Sequence, residues 1–341
     1  MKGKKETIAI LIATAVIIAA VHFYTLLYTP ASGTGKAVAV EIPRGASFRV
    51  VVNTLANAGL LKYSEGFSLA AMAKGAHKKI QAGEYELSPS MTPMEMLDIL
   101  MAGRTKHYSL TVPEGYSVTD IAGAVERNGI AKKEEFLAQV NDRRFVSSLG
   151  LPGPTLEGYL FPDTYAVAKA AAPEDIADII KRMTGRFKEV YGEEFRALAE
   201  KKGMTDREVI TLASIIEKET GRQEEMQSVS AVFHNRLKKR IPLQSDPTVI
   251  YAIANFDGNL TKKHLLARTP YNTYIKNGLP PGPIANPGRA AIYAALNPAD
   301  EKYLYFVSRN DGTHYFSKTL AEHNDAVRVY QKSVFAARPR S

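Results

Sequence analysis

Residues 205–220 read TDREVITLASIIEKET, and this stretch predicts a buried helix at the centre of the fold. Thr205 and Glu208 have the spacing of a capping box, which places the start of the helix at Thr205. Apolar residues then recur at three- and four-residue intervals and define one buried face: Val209, Leu212, Ala213 and Ile216. The helix should therefore pack into a core, and it ends at two carboxylates, Glu217 and Glu219.

The two carboxylates should lie on different faces of this helix. Each residue turns the helix by about 100°, so Glu217 and Glu219 are separated by roughly 200°. The apolar spacing continues onto Glu219, whereas Glu217 shares a flanking face with Ile210 and Ser214. Apolar surroundings raise the pKa of a carboxyl, as a general acid at neutral pH requires. Alternatively, Glu219 reaches solvent or pairs with a basic residue, and Glu217 caps a neighbouring helix.

The N-terminus predicts a membrane anchor. Residues 7–28 contain no charged side chain, and Lys2, Lys4 and Lys5 precede them. About 20 apolar residues suffice to cross a bilayer, and flanking lysines favour the inner side, so residues 1–6 should form a cytoplasmic stub. A cleaved signal peptide is the alternative, but its apolar core would span only roughly 7–15 residues. The length favours an uncleaved anchor.

Composition narrows the classes of function. The 341 residues include no cysteine, which excludes disulfide scaffolds, thiolate zinc sites and cysteine nucleophiles. The net charge of +9 favours an anionic partner such as a membrane surface or an acidic polymer. Because the basic residues are dispersed and no recognition helix is evident, we expect no nucleic-acid binding. The sequence also contains no HExxH, no phosphate-binding GxxxxGK[ST] and no GxSxG, so neither metal nor cofactor is expected.

The pattern beyond the anchor predicts an α+β fold. Residues 29–37 read as a flexible linker, and two similar stretches, 42–61 and 112–130, each predict a strand end, a serine-capped helix and a closing glycine. We therefore expect a compact α+β module over residues 38–130 and a larger mixed domain over residues 131–341. In that larger domain we expect helices at 174–201, 224–239, 288–296 and 319–335 and a hairpin joining 303–307 to 314–317.

LQSDPTVIYAI (243–253) is the first of three stretches that suggest a polar groove. Asp246 fits a helix N-cap followed by Pro247 at the first helical position. It also fits the second carboxylate of a glycosidase pair. Three of its neighbours could bind sugar hydroxyls or an acetamido group: Gln244, Ser245 and Thr248.

The other two stretches are rich in aromatic residues. TPYNTYIKNGLPPGPIANPG (269–288) combines flat faces for sugar rings with oriented amide and hydroxyl groups ahead of a stiff proline–glycine loop. The residues concerned are Tyr271, Asn272, Thr273 and Tyr274. An ordered surface loop is the alternative. LEGYLFPDTYAV (156–167) is irregular and carries Glu157 and Tyr159, which we add to the candidate supporting residues.

Together, ASIIEKET, LQSDPTVIY, TPYNTY, GLPPGPIANPG and LEGYLFPDTY resemble the YceG-like endolytic murein transglycosylases, over nearly the whole chain. The resemblance implies a single-pass inner-membrane enzyme, with its catalytic domain in the periplasm, that cuts nascent peptidoglycan strands. It implies that the first module is LysM-like and that peptidoglycan synthases are partners. Aligning the E-K-E triplet places the essential acid at Glu219, which the helical face also indicates. Glu217 and the groove residues would then support the site or bind substrate.

In such enzymes one carboxylic acid performs both proton transfers. It protonates the oxygen of the β-1,4 bond between MurNAc and GlcNAc, and then takes a proton from the C6 hydroxyl of the muramic acid, which closes a 1,6-anhydro ring. No second carboxylate, metal or cofactor is implied, and Asp246 would shape the groove. Two alternatives remain: a hydrolase of the same glycan that uses Glu219 with Asp246, and a non-catalytic glycan-binding scaffold of the cell-wall machinery.

Overall fold

The computed structural model describes residues 2–170 and 172–332, and it confirms the α+β prediction. The chain divides into two compact units. The first contains the chain up to Ser109, Gly129–Ala131 and Ala166–Asp175. The second contains Leu110–Asn128, Lys132–Tyr165 and the chain from Ile176 onward. The domain limits predicted from the sequence, 38–130 and 131–341, stay a prediction.

The first unit begins with a long helix and continues into a small α+β module. Its elements are α1 (Lys2–Tyr28), β1 (Val38–Ile42), α2 (Phe48–Asn57), α3 (Ser64–Ala73), β2 (Gly83–Leu87) and α4 (Pro93–Met101). The strands pair antiparallel, with Val40 opposite Tyr85. Ser47 caps α2 and Thr92 caps α4 as their sequences predict. Residues Gly3–Tyr28 of α1 are mostly exposed, and this helix is long and apolar enough to cross a membrane.

The second unit is largely helical. Strands β3 (His107–Thr111) and β4 (Thr164–Ala168) pair with each other, and each of them contains a boundary between the two units. Its helices are α5 (Val118–Arg127), α6 (Lys133–Val140), α7 (Arg143–Ser148), α8 (Pro173–Val190), α9 (Glu193–Lys202), α10 (Asp206–Glu219), α11 (Gln223–Lys239), α12 (Asp246–Tyr251), α13 (Lys262–Leu265), α14 (Arg289–Leu296) and α15 (Leu320–Val327). Helix α8 starts in the first unit.

Helix α10 is the buried centre of the second unit, as its sequence predicts. Thr205 accepts a hydrogen bond from the Glu208 N–H, and the Glu208 carboxylate accepts one in return from the Thr205 N–H. Every residue from Val209 to Ile216 is buried. The helix packs against α14, α11, α12 and α9. Burial on all these sides fixes the direction in which its last turn, with Glu217 and Glu219, leaves the core.

One predicted helix, 174–201, is two helices in the structure. The break falls at Tyr191 and Gly192, where Gly192 takes an extended backbone and caps α9. Glycine is a weak helix former. The break directs the Tyr191 ring into the core between Phe187 and Phe195, where its hydroxyl donates to Asp206. The single-helix prediction was wrong because tertiary packing of one aromatic side chain is not visible in the periodicity.

A C-terminal hairpin completes the second unit. It consists of β5 (Tyr305–Ser308) and β6 (His314–Ser317), antiparallel, with Phe306 opposite Phe316. This confirms the predicted hairpin. Helix α15 follows and continues as a π turn to Lys332. The predicted end of this last helix, residues 333–335, lies outside the described residues.

Candidate active site

The Glu219 carboxyl lies at the end of α10 and faces a cavity. Its Oε1 accepts a hydrogen bond of 2.5 Å from the Ser245 hydroxyl, and the residue is partly buried. Burial raises the pKa of Glu219 to about 7, and the negative charge of Asp246 acts in the same direction. The Ser245 hydrogen bond and the positive charge of Arg236 lower this pKa in opposition. Near neutral pH the carboxyl is therefore available both as an acid and as a base.

The cavity has a volume of about 420 Å³ and lies between two walls that meet at Glu219 and Arg236. One wall comes from the segment before and at the start of α12, with a contribution from the 269–288 loop: Leu243, Gln244, Asp246 and Tyr274. The other comes from β5 and α15: Tyr305, Phe306, Leu320, His323 and Asn324. The first wall is mainly polar and the second carries aromatic and apolar surface, which is the combination that sugar rings require.

The segment that carries Ser245 is fixed by buried threonines. The Ser245 N–H donates to Thr273 Oγ1 at 3.0 Å, and the Thr248 hydroxyl donates to the Ser245 carbonyl at 2.6 Å. The Gln244 N–H donates to the Thr273 carbonyl, and Gln244 has a left-handed φ of 52°. A residue other than glycine adopts this conformation only where its surroundings enforce it. Thr248 and Thr273 are thus predicted site residues that position Ser245 from below the cavity surface.

Asp246 faces the cavity from the first turn of α12. Its Oδ1 accepts a hydrogen bond of 2.5 Å from the Tyr274 hydroxyl. The helix begins at Asp246 with Ser245 as N-cap, and no side chain caps it. The prediction that Asp246 is the N-cap was therefore wrong by one residue, because Ser245 is extended and Asp246 is already helical. The Asp246 carboxylate does not cap the helix, and it lines the cavity.

Glu217 leaves α10 in a different direction from Glu219. It does not line the cavity, and its Oε2 accepts a hydrogen bond of 2.9 Å from the N–H of Gly288, the N-cap residue of α14. Burial raises the pKa of Glu217 to about 7; the Gly288 N–H lowers it in opposition, and the Glu114 charge raises it further. This contact agrees with the alternative that Glu217 caps a neighbouring helix.

The remaining predicted residues lie away from the cavity. Glu157 is 3% exposed and accepts hydrogen bonds from the Val118 N–H, the Tyr251 hydroxyl and the Asn286 amide. Burial raises its pKa to about 8. Tyr159 packs edge-on against Phe187 in the core. These two residues bind the 156–161 loop to the body of the unit.

Two residues of the TPYNTY motif also point inward. The Tyr271 ring packs against Tyr251 with the centroids 4.9 Å apart. The Asn272 amide donates to the carbonyls of Leu265 and Ala267, and the residue is fully buried. Of this motif, Tyr274 alone lines the cavity.

Sequence reasoning missed Arg236 and the part of the second wall that β5 forms. Arg236 is 8% exposed, although the last turn of its amphipathic helix also carries two exposed basic residues, Lys238 and Lys239. Its Nε donates to the Leu304 carbonyl at 2.7 Å and its Nη1 to the Leu243 carbonyl at 2.8 Å. The Tyr305 ring covers the guanidinium, with the centroid 5.1 Å away. The spacing along α11 offers no signal that distinguishes this arginine from its exposed neighbours.

Across the described ranges, no group of three or more His, Asp or Glu side chains has the geometry to hold a metal ion.

The chain is similar to known proteins over most of its length. The model of the YceG-like family matches residues 40–329. The endolytic murein transglycosylase of Bacillus subtilis is 35% identical over 312 residues, which cover 87% of this chain and 85% of that protein. The enzyme of the same name from Streptococcus pneumoniae R6 is 32% identical. The match covers 87% of this chain and 59% of the length of that enzyme. A crystal structure of a yceG-like protein from Listeria monocytogenes shares 34% identity, with a TM-score of 0.59, and covers 85% of this chain and 98% of that one.

Proposed function

This chain belongs to the YceG-like family, and from that premise we propose that it is an endolytic murein transglycosylase with Glu219 as its acid and base. It cuts the β-1,4 bond between MurNAc and GlcNAc within nascent peptidoglycan strands, leaves 1,6-anhydro-MurNAc ends and so terminates elongation. The observation that carries the assignment of Glu219 is its position in the cavity: it is the carboxyl at the end of α10 that faces open space, whereas Glu217 bonds to Gly288.

The first step of the reaction uses the protonated form of Glu219. The acid gives its proton to the glycosidic oxygen, the bond from that oxygen to C1 of the muramic acid breaks, and positive charge develops at C1. Burial favours the protonated form before the step. The Ser245 hydroxyl, which donates to Oε1, stabilises the carboxylate that the step produces.

The second step returns the enzyme to its starting state. The Glu219 carboxylate takes the proton of the C6 hydroxyl, and O6 forms a bond to C1 that closes the anhydro ring. One proton leaves Glu219 and one returns, and no water is consumed. Because the same carboxyl serves both steps, the reaction requires a proton affinity that lies near the working pH.

A hydrolase that uses Glu219 with Asp246 is the second candidate, since both carboxyls line the same cavity. In that reaction Asp246 would activate water or form a covalent intermediate, and the product would be a reducing muramic acid end. The two candidates therefore differ in the chemistry of the new end and in what loss of the Asp246 charge does to the rate.

The rest of the chain supports a location at the membrane. We propose that α1 anchors the protein in the inner membrane, with residues 1–6 in the cytoplasm and the second unit in the periplasm; the length, composition and exposure of α1 support this. We further propose that the module after the linker is LysM-like and contacts glycan, and that peptidoglycan synthases, which supply nascent strands, are partners. Of the supporting residues proposed from sequence, Ser245 bonds to Glu219, and Gln244, Asp246 and Tyr274 line the cavity.

The test compares Glu219→Gln with Glu217→Gln in the full-length protein in detergent, incubated with purified sacculi. Glu219→Gln should release no glycan fragments, because an amide neither donates nor accepts the proton that moves. Glu217→Gln should retain most of the activity, because its amide oxygen still accepts the Gly288 N–H. If Glu219→Gln releases fragments at the rate of the wild type, Glu219 is not the acid.

A further inference from the structure

The proposed reaction places an unusual demand on Glu219, because one carboxyl must lose and regain a proton in each turnover. A carboxyl in apolar surroundings alone holds its proton too tightly to lose it, and a carboxyl beside a bonded cation releases it too readily. The cavity holds two charged side chains besides Glu219, of opposite sign and from different helices: Arg236 on α11 and Asp246 on α12.

Arg236 is fixed in place without a carboxylate partner. Three carbonyl groups and the Gln244 side chain accept hydrogen bonds from its Nε and Nη1. Among the described residues, no carboxylate oxygen lies within 4.0 Å of the Arg236 guanidinium nitrogens, the distance that defines an ion pair. None of these residues accepts a hydrogen bond from Nη2. Nη2 is also not fully enclosed by protein atoms. A buried arginine is normally paired with an acid. Within the part of the chain that the structure describes, the charge of Arg236 has no carboxylate partner, and the residue lines the cavity.

Asp246 supplies the opposite charge. It is exposed to the cavity, and the Tyr274 hydroxyl holds its carboxylate in position. Since α11 and α12 are separate elements, the two charges approach the cavity independently and can be removed one at a time.

We propose that Arg236 and Asp246 are positioning residues of opposite charge that keep the Glu219 carboxyl able to give up a proton and take one back within a turnover. The inference rests on the proposed function of Glu219. Arg236 stabilises the carboxylate that remains after the first step, and Asp246 favours return of the proton in the second. The hydrogen bond from Ser245 adds to the effect of Arg236.

The other groups around Glu219 do not duplicate these charges. From β5 and α15, Tyr305 and His323 face the cavity, and the two rings stack with centroids 5.2 Å apart. Burial lowers the pKa of His323, and the Arg236 charge lowers it further, so His323 is neutral at pH 7. Burial also raises the pKa of Tyr274, which is therefore uncharged. On α10 itself, Lys218 points away and donates to the Gly115 carbonyl.

The test is the pH dependence of kcat/KM for the full-length protein in detergent acting on purified glycan strands. The rate falls at alkaline pH as free-enzyme Glu219 loses its proton. Arg236→Gln removes a cation that favours the carboxylate, so this fall should move up by on the order of 0.5 to 1 pH unit. Asp246→Asn removes an anion that favours the acid, so the fall should move down by a similar amount. Arg236→Lys keeps the charge and should restore the wild-type midpoint.

A matched control is Lys239→Gln, on α11 three residues after Arg236. Lys239 is exposed and does not line the cavity, so solvent and salt screen its charge from Glu219 and the midpoint should not move. Midpoints that stay at the wild-type value in folded Arg236→Gln or in Asp246→Asn would overturn the proposal, whatever the loss in kcat.

If Arg236→Gln does not fold, Asp246→Asn decides alone, because Tyr274 can still donate to the asparagine carbonyl. An Asp246→Asn protein that is inactive at every pH would overturn the proposal and favour the hydrolase. The function of Glu219 is tested separately by the inactivity of Glu219→Gln.

Discussion

Glu217 and Glu219 show how two similar carboxyls on one helix acquire different roles. Burial raises the pKa of both to about 7, so a raised pKa alone does not identify the acid. The two carboxyls differ in direction: Glu219 faces the cavity, and Glu217 bonds to the N-cap of α14. The helical spacing predicted this divergence, since residues two apart on a helix face opposite sides. It could not predict that Ser245 bonds to Glu219 or that Arg236 lines the cavity, because these residues come from segments distant along the chain.

Glu157 is a buried carboxyl outside the cavity, and its ionisation should make the stability of the protein depend on pH. Its pKa is raised to about 8 in the folded protein, so the folded state binds a proton that the unfolded state releases near pH 4.5. Its contribution to stability is therefore fully present below about pH 4.5 and is lost as pH rises towards 8. The melting temperature of Glu157→Gln should fall less between pH 5 and pH 8 than that of the wild type.

Thermal unfolding at the two pH values measures this difference. Exposed Glu134→Gln, on α6, is the control and should change with pH as the wild type does. A steeper fall in Glu157→Gln than in the wild type would contradict the prediction.

At the scale of elements, the helices with strong end signals were predictable and the turns that build the site were not. The capping boxes at Thr92 and Thr205 fix the starts of α4 and α10. In the 269–288 loop, sequence composition suggested four exposed groove residues, but Asn272 and Thr273 satisfy carbonyls and hydroxyls inside the protein. An amide or hydroxyl that serves a buried backbone looks the same in a sequence as one that serves a ligand.

The close contact between the 156–161 loop and α10 predicts that a methyl group added at Gly158 destabilises the protein. Gly158 has a φ of +89°, and a Cβ there would lie 2.6 Å from Pro283 Cγ and 2.8 Å from Ile210 Cγ2. Gly158→Ala should therefore lower the free energy of unfolding by about 2 kcal/mol or more, through backbone strain and overpacking.

Denaturant unfolding of the full-length protein in detergent tests this, with Gly185→Ala as the matched control. Gly185 lies within α8 with no atom near its would-be Cβ, so alanine there should stabilise by roughly 0.5–1 kcal/mol. Equal effects of the two substitutions would show that the loop does not pack closely on α10.

At the scale of the whole molecule, the described residues form two compact units, and the first unit begins with a long apolar helix. The long apolar helix, the α+β class and the family motifs were predictable, because apolar length, alternation and capping are local signals. The course of the chain was less predictable. The two similar stretches, 42–61 and 112–130, each form the predicted serine-capped helix, yet they belong to different units. Which unit a helix joins depends on long-range packing that no local pattern encodes.

The anchor proposal makes a prediction about the intact protein in cells. If α1 is an uncleaved anchor, the purified protein should retain residues 7–28 by intact-mass measurement and should stay in the membrane fraction after extraction at alkaline pH. Replacing Ile12 and Val16 of α1 with lysine should release it, because two charges in the middle of a span are costly. A mature N-terminus beyond residue 28 would indicate a cleaved signal peptide instead.

The central claim is that Glu219 performs both proton transfers without water. Its most direct test is mass spectrometry of glycan ends produced by the full-length protein in H₂¹⁸O. In this mechanism the new muramic acid ends are one water lighter than a reducing end and contain no ¹⁸O, and Glu219→Gln produces none. Reducing muramic acid ends that carry ¹⁸O at C1 would contradict it and would show that the enzyme is a hydrolase.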